Sequence, residues 1–117
     1  MLDQSATIDG VFAALADPTR RSIVSRLCRG PASVSEIAAP LQMTLAAVVQ
    51  HIQILERCAV IRTHKQGRTR TCRIEPATLA SVEEWFKDRR RMWESQFDRL
   101  GEVLLQEKAA GRTGKDE

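Results

Sequence analysis

The chain has 117 residues, enough for one domain with a modest core and too few for two. Its hydrophobic share of 43% and charged share of 28% are ordinary for a soluble protein, and no apolar run approaches the roughly 18 residues a membrane span needs. The net charge of +3 is small but unevenly placed: residues 43–73 carry six basic side chains against one acidic, residues 1–42 carry four of each, and residues 74–117 carry eight basic and ten acidic. Positive charge focused on one segment suits a polyanionic partner. The start, Met1-Leu2-Asp3-Gln4-Ser5, has neither a basic stretch nor an apolar one, so no signal peptide is expected and the expected compartment is the cytoplasm.

Ile8, Val11, Phe12 and Leu15 fall at helical spacing and predict a first amphipathic helix over residues 7–16. Asp17-Pro18 restarts the chain, with aspartate as cap and proline at the first helical position, where its missing N–H costs nothing. That second helix runs to about Arg29, turns Ile23, Val24 and Leu27 inward, and stops at Gly30-Pro31. Ser33-Val34-Ser35-Glu36 is a capping box opening a short third helix, which Pro40 ends near Ala39. Leu41-Gln42-Met43 is the turn, and Thr44 caps a fourth helix whose inward stripe is Leu45, Val48, Ile52 and Leu55.

Val60 and Ile61 begin a strand that turns at Gln66-Gly67-Arg68 and returns from Thr69 to Ile74, where Glu75-Pro76 ends the hairpin. Beyond it lies a helical pattern from Ala77 to about Lys108, with Leu79, Val82, Phe86, Trp93, Phe97, Leu100 and Leu104 at intervals of three, four and seven. Some 30 residues of helix span about 45 Å, more than the diameter of so small a globule. Both tryptophans and two of the three phenylalanines lie in this segment, and large aromatics on one exposed face mark an interface. The expected partner is a second copy, meeting it through the first and last helices at Phe12, Trp85, Trp93, Phe97, Leu100 and Leu104. The domain is expected to cover residues 1–108, and 109–117 to form a flexible tail.

The expected architecture is mostly α with a β-hairpin wing, in the order α-α-α-α-β-β-α: a winged helix-turn-helix. In such a fold the fourth helix enters the major groove of double-stranded DNA. Gln50 and Gln53 are its best readers, since an amide pairs bidentately with adenine, while Leu45, Ala46 and Val49 suit thymine methyls and Thr44 suits a phosphate. His51 has two readings, a phosphate donor or a partly buried side chain holding the helix on its neighbours. Lys65, Arg68 and Arg70 cluster at the wing tip and should meet phosphates or the minor groove, whereas Arg62 and Arg73 either cover the hairpin or pair with acidic neighbours.

Other chemistry finds little support. There is no Gly-rich phosphate loop, no HExxH and no GxSxG, so no catalytic residue and no cofactor are expected. Cys28, Cys58 and Cys72 form no CxxC, and the two histidines, His51 and His64, make no i, i+4 pair, so no metal site is expected. Cys28 and Cys58 read as buried structural thiols. Cys72 sits among arginines that would lower its pKa, which leaves a thiol switch as an alternative.

Phe12-Ala13-Ala14-Leu15-Ala16-Asp17-Pro18-Thr19-Arg20-Arg21-Ser22-Ile23 resembles the opening signature of the ArsR family of winged-helix repressors. Ser33-Val34-Ser35-Glu36-Ile37-Ala38 resembles the family's third helix, Met43 to Leu55 its recognition helix, and Gly67-Arg68-Thr69-Arg70 its wing. Over residues 8–108 the resemblance implies a homodimer built on the first and last helices and binding an inverted repeat near its own promoter. The pattern from Trp85 through Arg89-Arg90-Arg91-Met92-Trp93-Glu94 to Leu100 is similar to a subgroup often encoded beside small lipid-binding-type proteins. Metal-sensing relatives carry a cysteine pair where this chain has Ala32-Ser33-Val34-Ser35, and their last-helix ligands are also missing. Relatives usually have serine at Val49, a basic residue at Gln50 and a glycine of positive φ at Ala59. The function so implied is a dimeric, sequence-specific transcriptional (auto)repressor, with room for an unidentified small-molecule inducer. The alternatives are a cysteine-dependent redox or metal-responsive repressor on the same fold, and a winged-helix interaction module that does not bind DNA.

Overall fold

A computed structural model of the protein describes residues 4–115 and the side chains of residues 6–111. Its elements are α1 (Gln4–Leu15), α2 (Pro18–Leu27), β1 (Ala32–Ser33), α3 (Val34–Ala38), α4 (Leu45–Arg57), β2 (Ile61–Gln66), β3 (Thr69–Ile74) and α5 (Pro76–Lys115). The chain divides into two units, residues 1–82 and 83–117, with α5 running across the division. No described helix is long and apolar enough to cross a membrane.

The winged helix-turn-helix arises in the first unit from a sequence that marks its own boundaries. Asp17 accepts the Arg20 amide at the start of α2, Ser33 and Glu36 complete a reciprocal capping box on α3, and Thr44 accepts the Ala47 amide at the start of α4. The core gathers Val11 and Ala14 of α1, Ile23 and Leu27 of α2, Ile37 of α3, and Val48, Ile52 and Leu55 of α4 over Val60 of the turn that follows and Ala32, Ile61 and Cys72 of the sheet. Val82 packs against this core, and Thr78 nearby on α5 is also buried.

Three expectations are corrected. The sheet has three strands, in the order β1-β3-β2, because Ala32 and Ser33 pair antiparallel with Cys72 and Thr71 on the outer edge of the hairpin. Two residues carry no periodicity, and Ser33 doubles as a helix cap, so this strand has no signal of its own. Leu45 does not join the inward stripe of α4 but is exposed at the first helical position, and the buried stripe begins at Val48. Cys28 is exposed rather than buried, because α2 stops at Leu27 and leaves Cys28 as its C-cap.

Helix α5 runs from Pro76 through Lys115, with Asp116 and Glu117 outside the described residues. Ala109 and Ala110 are the strongest helix formers, and Gly111 and Gly114 cost only about 1 kcal/mol each against alanine.

At the end of α4 the chain turns through Ala59, whose φ is 61°. The Ala59 amide donates to the Glu56 carbonyl and the Val60 amide to the Leu55 carbonyl, each at 3.0 Å, which is the paired pattern that ends a helix with a left-handed residue. Leu55 and Val60 are both in the core, so the turn launches β2 from a buried anchor. Strands β2 and β3 pair from Ile61 opposite Ile74 to Gln66 opposite Thr69, and Gly67 takes a φ of 64° at the first position of the two-residue connection.

Candidate nucleic-acid interface

The exposed face of α4 and the hairpin bound one cleft of about 710 Å³. Leu45, Val49 and Gln53 line it from α4, and Lys65, Arg68 and Arg70 from the hairpin. Six of the ten side chains expected to meet DNA are therefore brought together. Thr44, Ala46 and Gln50 are exposed but do not line the cleft, and Thr44 spends its hydroxyl on the α4 cap at 3.1 Å.

His51 lies elsewhere. Its side chain is 21% exposed, and its Nδ1 lies 3.4 Å from Arg20 Nη1 and 3.9 Å from Asp17 Oδ2. Arginine can only donate, so Nδ1 is the acceptor of that contact. Arg20 in turn gives its Nε to the Ala14 carbonyl at 2.6 Å, and Arg21 reaches the Leu15 carbonyl at 2.8 Å. The Asp17-Pro18-Thr19-Arg20-Arg21 stretch thus closes the C-terminus of α1, opens α2 and docks His51 of α4. Of the two readings of His51, this geometry is the structural one.

Two electrostatic consequences follow from the caps. The Arg20 amide lowers the pKa of Asp17 from the ordinary carboxylate value, against some desolvation, and the Ser33 amide lowers that of Glu36 in the same way. In the hairpin, Arg62 pairs with Glu75, the second of the two roles read for it. Arg70 Nη1 donates to Thr63 Oγ1 at 2.7 Å, and the Thr63 hydroxyl donates to the Glu56 carboxylate.

The core residue Ile52 lies at the base of the cleft. Ser33, Val34 and Ser35 from the start of α3 form another wall of it, and Glu56, Thr63 and Thr69 line it too. None of these six stands out in the sequence as a site residue. The capping box absorbs the serines, and the place of Thr63 depends on strand register. Glu56 alone carries a signal, as the one acidic side chain in a cationic segment.

The thiol-switch reading of Cys72 is corrected. Because β3 is the central strand, Cys72 is fully buried between Ala32 and Thr63. Burial raises its thiol pKa, the Glu56 charge raises it further, and Arg70 only partly opposes them. A thiol kept protonated and dry is a poor nucleophile. Among the described residues no three His, Cys, Asp or Glu side chains group as a metal site would require.

In the second unit, Phe86, Trp93, Phe97, Leu100 and Leu104 are all at least 50% exposed and recur at helical intervals along α5. Met92, Val103 and Leu105, which the sequence pattern does not single out as interface residues, are exposed as well. Trp93 and Phe97 stack with centroids 4.5 Å apart, and Arg89 lies 4.3 Å over the half-buried Trp85 ring. Arg90 pairs with Glu94 within the apolar stripe, beside Phe86 and Trp93, and Arg91 pairs with Asp88. In the first unit Phe12 of α1 is 44% exposed.

Comparisons with known proteins agree with this geometry. A family profile described as a helix-turn-helix domain matches residues 15–64. The chain is similar to the HTH-type transcriptional regulator Rv2034 of Mycobacterium tuberculosis, with 38% identity over 74 residues, 63% of this chain and 69% of that protein. It is similar to the transcriptional repressor SdpR of Bacillus subtilis, with 33% identity over 61 residues, 52% of this chain and 68% of the repressor. Among solved structures, the crystal structure of the ArsR family transcriptional regulator RHA00566 shares 49% identity, covers 81% of this chain and 98% of its own, and superposes with a TM-score of 0.73.

Proposed function

Because the chain belongs to the ArsR family of winged helix-turn-helix transcriptional regulators and is a DNA-binding regulator of transcription, we propose that it acts as a homodimeric repressor on an inverted-repeat operator near its own promoter. The observation that carries this reading is the cleft in which Leu45, Val49 and Gln53 of α4 stand beside Lys65, Arg68 and Arg70 of the hairpin. Helix α4 lies in the major groove, where Gln53 and the exposed Gln50 read adenine edges and Leu45, Ala46 and Val49 touch thymine methyls. Lys65 and Arg68 take phosphates beside it, and Thr44 approaches one at the helix N-terminus. Two copies, joined through the apolar face of α5 and the exposed Phe12, present their α4 helices about 34 Å apart to successive turns of one duplex.

Gel shifts on the DNA upstream of the protein's own gene, at several salt concentrations, test this. Reversing the charge of Lys65 and Arg68 should weaken binding to every duplex alike and flatten the salt dependence by about 0.9 log unit for each phosphate no longer neutralised. Gln50→Ala and Gln53→Ala should instead cost about 1–3 kcal/mol on the operator and little on unrelated DNA. Equal weakening on all sequences by the glutamine variants would remove them as readers.

A further inference from the structure

Glu56 is the single acidic side chain between Met43 and Arg73, and it lines the same cleft as Lys65, Arg68 and Arg70. A lone carboxylate on a surface meant for a polyanion works against binding unless it has another task. Its task is visible in the hydrogen bonds. The Thr63 hydroxyl donates to the Glu56 carboxylate and accepts from Arg70 Nη1 at 2.7 Å. A hydroxyl has one proton and two lone pairs, so it can do both at once and the direction of the chain is set. The three links come from the last turn of α4, from β2 and from β3, and so tie the recognition helix to both strands of the wing.

We propose that Glu56 and Thr63 are positioning residues for DNA binding, holding the Arg70 guanidinium at the cleft so that helix and wing meet the duplex as one preorganised surface. This rests on the DNA-facing reading of α4 and the wing given above. An arginine held before binding loses less freedom on contact than one free in solvent, which is how the relay gains affinity. It also separates Arg70 from Lys65 and Arg68, for which no protein acceptor appears among the described hydrogen bonds and ion pairs. Those two are available to phosphates directly, whereas Arg70 acts from a fixed place.

The test is fluorescence anisotropy of a labelled mixed-sequence duplex, titrated with the full chain and its variants at several KCl concentrations. Thr63→Val keeps the β-branched shape and removes the hydroxyl, and should weaken binding by about fivefold. Thr63→Ser keeps the hydroxyl and should restore wild-type affinity, a rescue that a purely structural threonine would not show. The double variant Thr63→Val/Arg70→Ala should bind no more weakly than Arg70→Ala alone. Circular dichroism melts check the fold, and Thr63→Ala replaces the valine variant if that one does not fold. Penalties that add in full in the double variant, or a Thr63→Val protein that binds like wild type while Arg70→Ala is weakened, would overturn the relay and leave the wing reading standing. An Arg70→Ala protein that binds like wild type would also overturn the relay, while charge reversal of Lys65 and Arg68 without effect would overturn the wing reading itself.

Discussion

Ala59 is a side chain in a place that favours none. Its φ of 61° puts Cβ against the following carbonyl, at a cost of about 1–2 kcal/mol for an L-residue. Glycine there would remove that strain but bring more unfolded-state freedom, about 0.5–1 kcal/mol against alanine. The difference favours glycine, so Ala59→Gly should stabilise the protein by about 0.5–1 kcal/mol, read as a higher urea midpoint at unchanged slope. A lower midpoint would mean that the Ala59 methyl contributes packing that outweighs the strain. The turn was legible in advance because family resemblance placed a glycine of positive φ at this position. Cys72 was not, because flanking arginines suggest an activated thiol. Only the packed structure shows that its side chain joins the core while the arginine side chains beside it are exposed. Alternation within a strand told that Cys72 and Arg73 point to opposite faces. It could not tell which face had a core behind it.

At the scale of elements, the caps decide where the recognition unit begins and ends, and they titrate. Asp17 and Glu36 both have pKa values lowered by amide donors at helix N-termini, Asp17 chiefly by Arg20 and Glu36 chiefly by Ser33. A carboxylate whose folded pKa is depressed contributes stability that is present above its unfolded value, near 4, and is lost as pH falls through the folded value. Thermal melts should therefore fall more steeply below about pH 4 in the wild type than in an Asp17→Asn/Glu36→Gln variant, whose amides still accept hydrogen bonds but do not titrate. Parallel pH profiles would show that the two caps carry no such linkage. Helix starts were legible because Asp17-Pro18, Ser33-x-x-Glu36 and Thr44 are local signals with a local mechanism. Strand β1 and the far end of α5 were not. One is too short to show a period, and the other ends in a glycine-containing segment whose small propensity cost did not stop the helix.

At the scale of the whole molecule, the apolar face of α5 calls for a cover. Phe86, Trp93, Phe97, Leu100 and Leu104 are each half or more exposed, and water does not usually face so many large apolar side chains along one helix. The occupant proposed above is a second copy, since a two-fold symmetric protein would match a two-fold symmetric operator. In a two-fold seam every side chain appears twice, so one substitution introduces two changes. Trp93→Glu combined with Leu100→Glu would place four carboxylates in an apolar interface, where none has a partner and each is costly to desolvate. Sedimentation velocity at micromolar concentration should show the wild type as a dimer and this variant as a monomer. The melting temperature should rise with protein concentration for the wild type alone, because association stabilises the folded chain by mass action. Operator affinity should fall as the dimer dissociates, while binding to unrelated duplex should fall much less, since each copy keeps its own α4 and wing. A wild-type protein that remains monomeric at these concentrations would remove the symmetric mode of recognition. It would leave the α4 and wing surface as a reader of single half-sites.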